Sequence, residues 1–341
     1  MARPSLTPKE YENYLKESSF KHLLVEGKND KDFFNLLIYE FNKNNQTMSR
    51  PKVVIDTVKE INCEGEGLSG SRVKVEFIYQ LIESKALADK SLADKLVGFV
   101  DREFREFEYN SVVRDNRPEH VVQGRLVWSR GHSIENYFFD ISILEELLLS
   151  ISSNDFQLEL FYTAFEKFQS VINATIRLAC AAGLAAKECQ VLTRIEERWI
   201  DFNFIRINNG NKNMSTDVIL DFEEWTKDIF KTEDKDVSLD KANSLCNSCK
   251  YWSLQIVNVD LSVIRWLCHG HLGMQFIRSV YARCVYDSAV DNQFQQPDAE
   301  VTKTEKYNTG YRFKACATSW SRKAISNQCE CPTEVLKLLG F

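Results

Sequence analysis

At 341 residues, with 44% hydrophobic and 27% charged side chains, the chain is long enough for one large globular domain or two ordinary ones. Its net charge of −6 argues against a surface coated in basic side chains for indiscriminate DNA binding. The longest apolar stretch, Leu178 to Ala186, is interrupted by Gly183 and too short to span a bilayer, and Met1-Ala2-Arg3-Pro4-Ser5 does not lead into the apolar core of a signal peptide. A cytoplasmic protein that does not engage a membrane is therefore expected, with its ten dispersed cysteines reduced.

Leu6-Thr7-Pro8-Lys9-Glu10 carries a helix start, with Thr7 as N-cap, Pro8 at the first helical position and Glu10 completing a capping box. His22 to Glu26 reads as a buried strand. A helix opening at Asn29 or Asp30 follows, with Phe33, Phe34, Leu37, Ile38 and Phe41 at helical spacing. Lys52 to Thr57 is a second strand. The glycine-rich loop from Gly65 to Ser71 then leads to a helix from about Arg72 to Ser84, with Val73, Phe77, Ile78 and Leu81 expected on one face. Leu96 to Val100 is a third strand and Arg125 to Ser129 a fourth. Strands alternating with helices over some 130 residues predict a parallel α/β sheet flanked by helices. Beyond about Phe139, helical periodicity dominates in Ile141–Ile151, Phe156–Phe168, Val171–Ala186 and Leu261–Tyr286, with strands possible around Trp199–Ile207 and Leu254–Val259. The expected organisation is an α/β domain over 1–140 and a mainly helical domain over 141–341.

Two apolar strands end in acid: Val25-Glu26-Gly27-Lys28-Asn29-Asp30 and Phe99-Val100-Asp101-Arg102-Glu103. In an open parallel sheet, neighbouring strand ends meet in the crevice where ligands bind. Carboxylates gathered there repel one another unless a divalent cation sits among them, and their oxygens suit Mg²⁺ or Mn²⁺. With the chain extended past Val100, Asp101 and Glu103 would point to the same side and reach one cation. His132-Ser133-Ile134-Glu135-Asn136 follows the fourth strand and offers Glu135 as a further ligand; Asn136 stands where a capping box would need Glu or Gln. Ser69, Ser71, Arg72 and Lys74 could hold a phosphate. The loop lacks the Gly-Lys-Ser/Thr end of a Walker motif, which argues against P-loop ATP hydrolysis.

Two further sets compete with structural readings. Residues 301–341 hold seven Lys or Arg against three Glu, and Lys306, Arg312, Lys314 and Arg322 alternate with Tyr307, Tyr311, Phe313 and Trp320. This is a pattern for single-stranded nucleic acid or an ordinary amphipathic segment with core aromatics. Cys246, Cys249, Cys268 and His271 have the residue types of a tetrahedral zinc site, although the second half precedes an apolar helix where buried Cys is commonplace.

Taken together, Val25-Glu26-Gly27-x-x-Asp30, Gly98-Phe99-Val100-Asp101-Arg102-Glu103 and His132-Ser133-Ile134-Glu135-Asn136-Tyr137-Phe138 resemble a TOPRIM domain. More narrowly they resemble the TOPRIM effector nucleases of PARIS-type bacterial anti-phage defence, specifically over about residues 20–140. By position Glu26 matches the TOPRIM glutamate. Asp30 matches a metal-binding acid of the related overcoming-lysogenisation-defect nucleases. Asp101 and Glu103 match the DxD pair, with Glu in place of the second Asp. The resemblance implies a TOPRIM-like fold and a Mg²⁺- or Mn²⁺-dependent endoribonuclease with tRNA as substrate. It also implies an ABC-type ATPase partner that restrains the nuclease, and a homodimer once released. On this reading Glu26, Asp30, Asp101, Glu103 and Glu135 hold metal, while Lys28, Arg72 or Lys74 supplies a cation. Cleavage of DNA, and a non-enzymatic module whose acidic crevice binds a basic partner, are the rival readings.

Overall fold

The computed structural model describes residues 5–44, 51–63, 66–86, 88–110, 112–152, 158–208, 217–231, 235–305 and 309–341. The chain divides into two compact units. The first comprises Met1–Arg105, Arg117–Tyr137 and Ala317–Phe341, and the second Glu106–Asn116 and Phe138–Cys316. The expected division into 1–140 and 141–341 is therefore corrected: the last 25 residues belong with the α/β sheet, and a short excursion from it belongs with the helices.

The first unit opens with α1 (Pro8–Glu17), whose capping box forms as expected: Glu10 N–H donates to Thr7 Oγ1 at 3.3 Å, and Thr7 N–H to Glu10 Oε2 at 2.7 Å. Next come β1 (Lys21–Val25), α2 (Lys28–Asn44), β2 (Val53–Thr57), α3 (Ser71–Glu83), the single turn α4 (Lys90–Ala93) and β3 (Leu96–Val100). The chain then forms β4 (Phe107–Glu108) and β5 (Arg114–Asp115), an antiparallel ribbon of the second unit. It returns as β6 (Val122–Gln123) and β7 (Leu126–Trp128).

The sheet has the order β2-β1-β3-β7-β6, parallel except for the β6 edge. Leu24 stands opposite both Asp56 and Gly98, and Val100 opposite Trp128, so the C-terminal ends of β1, β3 and β7 come out on one side. From β1 the chain moves outward to β2 and then returns to β3 on β1's other flank. The order thus reverses between β1 and β3, the position where open α/β sheets form their ligand crevice.

Alternate strand residues feed two cores. Leu24, Leu96, Val100, Leu126 and Trp128 pack with Tyr11 and Leu15 of α1 and with Val75, Ile78, Tyr79 and Ile82 of α3. The buried face of α3 is thus Val75/Ile78/Tyr79/Ile82, not the expected Val73/Phe77/Ile78/Leu81; both sets have helical spacing, and only the position of the helix against the sheet selects one. On the opposite face, Phe34 of α2 meets Phe99 edge-on at 4.8 Å between ring centroids.

The second unit contains α5 (Ile141–Ser152), α6 (Leu158–Glu188), α7 (Leu192–Glu196), β8 (Ile205–Asn208), β9 (Asp217–Leu220), α8 (Phe222–Phe230), α9 (Lys235–Gln255), α10 (Leu261–Leu267), α11 (Gly270–Asp291) and α12 (Pro297–Glu305). The strand expected near Trp199–Ile207 is present as β8, paired with β9. The strand expected at Leu254–Val259 is the end of α9 and a turn, with Leu254 and Val257 exposed rather than alternating into a core. The 31-residue α6 merges two expected helices. It is long and apolar enough to cross a membrane, and 72% of its most apolar window is buried within the protein. On α11, Gly273 lets the Phe139 ring pack closely: a Cβ there would lie 2.2 Å from Phe139 Cζ.

Helix α13 (Thr309–Ile325) is followed by α14 (Thr333–Leu339). Trp320 stacks on Phe33 of α2 at 4.0 Å and 16°, Val335, Leu336 and Leu339 are buried, and the Arg125 guanidinium donates to the Leu338 carbonyl at 2.7 Å. These contacts hold the C-terminus in the first unit.

Candidate active site

Glu26, the residue after β1, accepts the Asp101 N–H at 2.8 Å through Oε1, a direct clasp between the ends of β1 and β3. Asp30, in the first turn of α2, accepts the Gly27 N–H at 2.8 Å, so it closes the strand-to-helix turn as well as facing the crevice. Asp101 is half-buried, and its Oδ1 is a buried oxygen with no hydrogen-bond partner. Glu135 lies in the 3₁₀ turn Ile134–Phe138 after β7; it is buried and accepts the Ser133 hydroxyl at 2.7 Å.

These carboxyls share one electrostatic environment. Burial, with the nearby charge of Glu103 and Glu76 adding to it, raises Glu26 to about 7. Burial, then the charges of Glu26 and Glu135, raises Asp30 to about 7. Burial holds Asp101 well above the usual carboxylate range, reinforced by Asp30, Glu26, Glu135 and Glu103. Taking several carboxylates out of water beside one another forces them to share protons or recruit a cation.

Glu103 departs from expectation. The chain is not extended past Val100: Glu103 has φ +52° in a turn, its N–H donates to the His132 carbonyl at 2.8 Å, and its side chain is half exposed. It pairs with the Arg72 guanidinium instead of standing parallel to Asp101. The cause is Arg102, which is wholly buried and donates to the carbonyls of Arg105 at 2.9 Å and of Arg117 and Arg130 at 3.0 Å. Five guanidinium donors need such acceptors when buried, and meeting them bends the strand end into a turn.

Arg72 stands one residue into α3, after the Gly70 N-cap. Glu76, one helical turn on, faces Arg72 at 3.9 Å and receives Arg105 at 2.8 Å. Sequence reasoning overlooked Glu76, Arg102 and Arg105; the i, i+4 spacing of Arg72 and Glu76 was the available signal for the first. Lys28 and Ser69 are exposed, Ser71 and Lys74 half-buried. Gly65 lies outside the described residues. Asn136 has a local role after all, since its Oδ1 accepts the Ser133 N–H at 2.7 Å, the reciprocal half of a capping box made with Asn.

The other two expected sets do not assemble as sites. Cys246 and Cys249 are buried on α9, Cys268 is buried at the end of α10, and His271 is exposed. Among the described residues no group of three or more His, Cys, Asp or Glu side chains is disposed to hold a metal ion, so the zinc set is not gathered. Burial pushes the Cys249 and Cys268 thiols well above their ordinary range, against thiolate ligation. In the basic C-terminal segment, Phe313 and Trp320 are core residues because helical spacing places them on the buried side of α13. Arg312 is buried, with its guanidinium on the Thr304 carbonyl. Lys314 and Arg322 are exposed, Arg322 facing Glu40 at 3.8 Å, and Lys306 and Tyr307 lie outside the described residues. Tyr311 is exposed, so the expected stacking platform is divided: Phe313, Trp320 and Arg312 belong to the core, and Tyr311, Lys314 and Arg322 remain at the surface.

The acidic crevice suits a divalent cation by its chemistry: oxygen donors only, raised protonation, and a buried carboxylate oxygen on Asp101 that lacks a partner. It is not closed into a ligand cage, because Glu26 and Asp30 each engage a backbone N–H and Glu103 is held by Arg72. No protein-family model matches the chain, and no curated protein matches it.

Proposed function

We propose that the chain is a Mg²⁺- or Mn²⁺-dependent endoribonuclease of TOPRIM type. The observation that supports it best is the meeting of Glu26, Asp30, Asp101 and Glu135 at the reversal point of a parallel sheet, with one Asp101 oxygen unpartnered. On this reading Asp101, Glu26 and Asp30 hold the cation, with Glu135 and Glu103 assisting. When bound, the cation supplies Lewis acidity toward a phosphate oxygen and a more acidic water.

The protein's own side chains do the rest. In the cation-free protein burial raises Glu26 and Asp30 to about 7, so the cation would displace protons from them as it binds and would bind more tightly as pH rises. Arg72, at the start of α3 and countered by Glu103 and Glu76, can turn its guanidinium onto a non-bridging phosphate oxygen and fix it there. Lys28 and Lys74, near the same helix starts, add positive charge for a polyanion. RNA as substrate, tRNA in particular, follows from the sequence resemblance, as do an anti-phage effector role, an ABC-type ATPase that restrains the enzyme, and a homodimer in the released state.

The test is incubation of the protein with Mg²⁺ or Mn²⁺ and separate RNA and DNA pools, beside Glu26→Ala and Asp101→Ala variants. Cleavage of RNA that both variants lose is expected. DNA-only cleavage, or full activity of Glu26→Ala, overturns the assignment. Absence of cleavage together with absence of cation binding points to an interaction module.

A further inference from the structure

The 3₁₀ turn Val58–Glu60 follows β2 and stands beside the exit of β1, since Val25 is paired with Thr57. Its base is fixed. Val58 and Ile61 are buried, the Leu6 N–H donates to the Glu60 carbonyl at 3.0 Å, and the Asn62 N–H donates to the Leu6 carbonyl at 2.7 Å. On this base Lys59 is exposed, and its ammonium reaches the turn between β1 and α2. A Cβ on Gly27 would lie 3.9 Å from Lys59 Nζ and 3.6 Å from Asp30 Oδ2.

Neither folding nor an ion pair accounts for this cation. The acid beside it in the chain, Glu60, is engaged by Lys31 at 3.5 Å. Among the described residues the Lys59 side chain has no hydrogen bond or ion pair, and neither has that of Lys28, the exposed residue after Gly27. Folding does not require glycine at position 27 either. Gly27 lies outside the left-handed region, and both neighbours of an added Cβ stand at ordinary van der Waals distance. The missing side chain leaves a gap between the Asp30 carboxyl and the Lys59 ammonium, where the backbone of a ligand can approach closely.

Across the sheet, the order β2-β1-β3 puts Lys59 on one flank of the carboxyls and Arg72, held by Glu103 after β3, on the other. The two outer strands of this trio are separated by two strand spacings, about 10 Å. A phosphodiester chain lying across the strand ends meets an ammonium, the acidic centre and a guanidinium in turn. We infer that Lys59, with Lys28 beside it, binds the RNA phosphate next to the one that the carboxyls and Arg72 receive. Lys59 is then a positioning residue: it fixes the strand over Gly27 and makes no contact with the bond that breaks. The inference rests on the nuclease reading above. An ammonium is a point charge that reads phosphate and carries no base preference.

The experiment separates binding from cleavage. Fluorescence anisotropy of a labelled single-stranded oligoribonucleotide with full-length protein, Ca²⁺ replacing Mg²⁺, gives affinity over a series of salt concentrations. The variants are Lys59→Ala, Lys59→Arg and, as a control, Lys90→Ala, an exposed lysine of α4 ahead of the opposite end of β3. All should melt as the wild type does. Lys59→Ala should weaken binding roughly three- to sixfold at physiological salt and lower the slope of log affinity against log salt by about 0.7–0.9, the share of one phosphate. Lys59→Arg should restore both, and Lys90→Ala should change neither. With Mg²⁺, Lys59→Ala should raise KM for RNA and leave kcat nearly unchanged, because the contact is the same before and in the transition state. Unchanged affinity and slope in Lys59→Ala, an equal loss in Lys90→Ala, or no RNA binding by the wild type overturns the inference. Weakened binding in Lys59→Ala without cation-dependent cleavage by the wild type leaves the phosphate contact standing and removes the nuclease reading. Cleavage by the wild type with unaltered KM and salt slope in Lys59→Ala does the reverse.

Discussion

Replacing Glu26 by Gln should stabilise the cation-free protein, and by an amount that grows with pH. Gln keeps the carbonyl oxygen that accepts the Asp101 N–H, so the clasp between β1 and β3 survives. What disappears is a carboxyl raised by burial from 4.5 to about 7. Between those two values the folded protein holds a proton that the unfolded chain has released. Stability from this group is therefore complete below about pH 4.5 and is lost as pH rises through about 7. At about 1.4 kcal/mol per pH unit the interval is worth about 3 kcal/mol, reduced to roughly 2–3 kcal/mol by the solvent that still reaches Glu26. The Gln variant should match the wild type near pH 4 and exceed it by that amount at pH 8. Removing the Glu26 charge also relieves Asp30 and Asp101, which acts in the same direction. Urea unfolding in EDTA across pH 4–8, followed by tryptophan fluorescence, measures the gap. Adding Mg²⁺ at a hundred times its dissociation constant should stabilise the wild type by about 2.7 kcal/mol and narrow the gap at pH 8. A gap independent of pH, or a Gln variant less stable at pH 8, would refute the claim that burial of this carboxyl strains the fold.

Other outcomes follow from single contacts. Asp101→Ala should lower cation-dependent RNA cleavage on the order of a hundredfold or more with unchanged circular dichroism, and a fully active variant would remove Asp101 from the chemistry. Trp320→Ala should cost roughly 3–5 kcal/mol in denaturant unfolding, because the ring stacks on Phe33 in the core. A selective loss of RNA affinity without a loss of stability would restore the stacking-platform reading. Gly273→Ala should lower the melting temperature by a cost of roughly 1–3 kcal/mol, since its Cβ would overlap Phe139, and a neutral effect would show that Phe139 moves aside freely. His22→Ala should cost roughly 1–3 kcal/mol, because His22 joins Ser18 Oγ to Asp56 Oδ2 at 2.7 Å on each side, and Asp56 also receives the Tyr11 hydroxyl at 2.9 Å. Unchanged unfolding would mean that this buried chain of polar groups reforms through water.

What the sequence determined by itself was local. Thr7, Pro8 and Glu10 specify the start of α1 through bonds within four residues, and the short, wholly apolar Leu96–Val100 reads as a strand buried on both faces, as it is. The acids at Glu26, Asp30 and Asp101 were legible for the same reason, since each directly follows a strand or opens the next helix. Tertiary structure decided everything that depends on who the neighbour is. Which stripe of α3 faces inward was settled by where the helix lies on the sheet, because two stripes were equally apolar. The fate of the basic C-terminal segment was settled by Phe33, some 290 residues earlier in the chain, which gives Trp320 a partner in the core. Glu103 shows the limit most clearly. An extended chain would have set it beside Asp101, but the buried guanidinium of Arg102 needs carbonyls from Arg105, Arg117 and Arg130, and satisfying them turns the backbone and delivers Glu103 to Arg72. A hydrogen-bond demand met across the fold overrides a local alternation of side chains, and no periodicity in the sequence announces it.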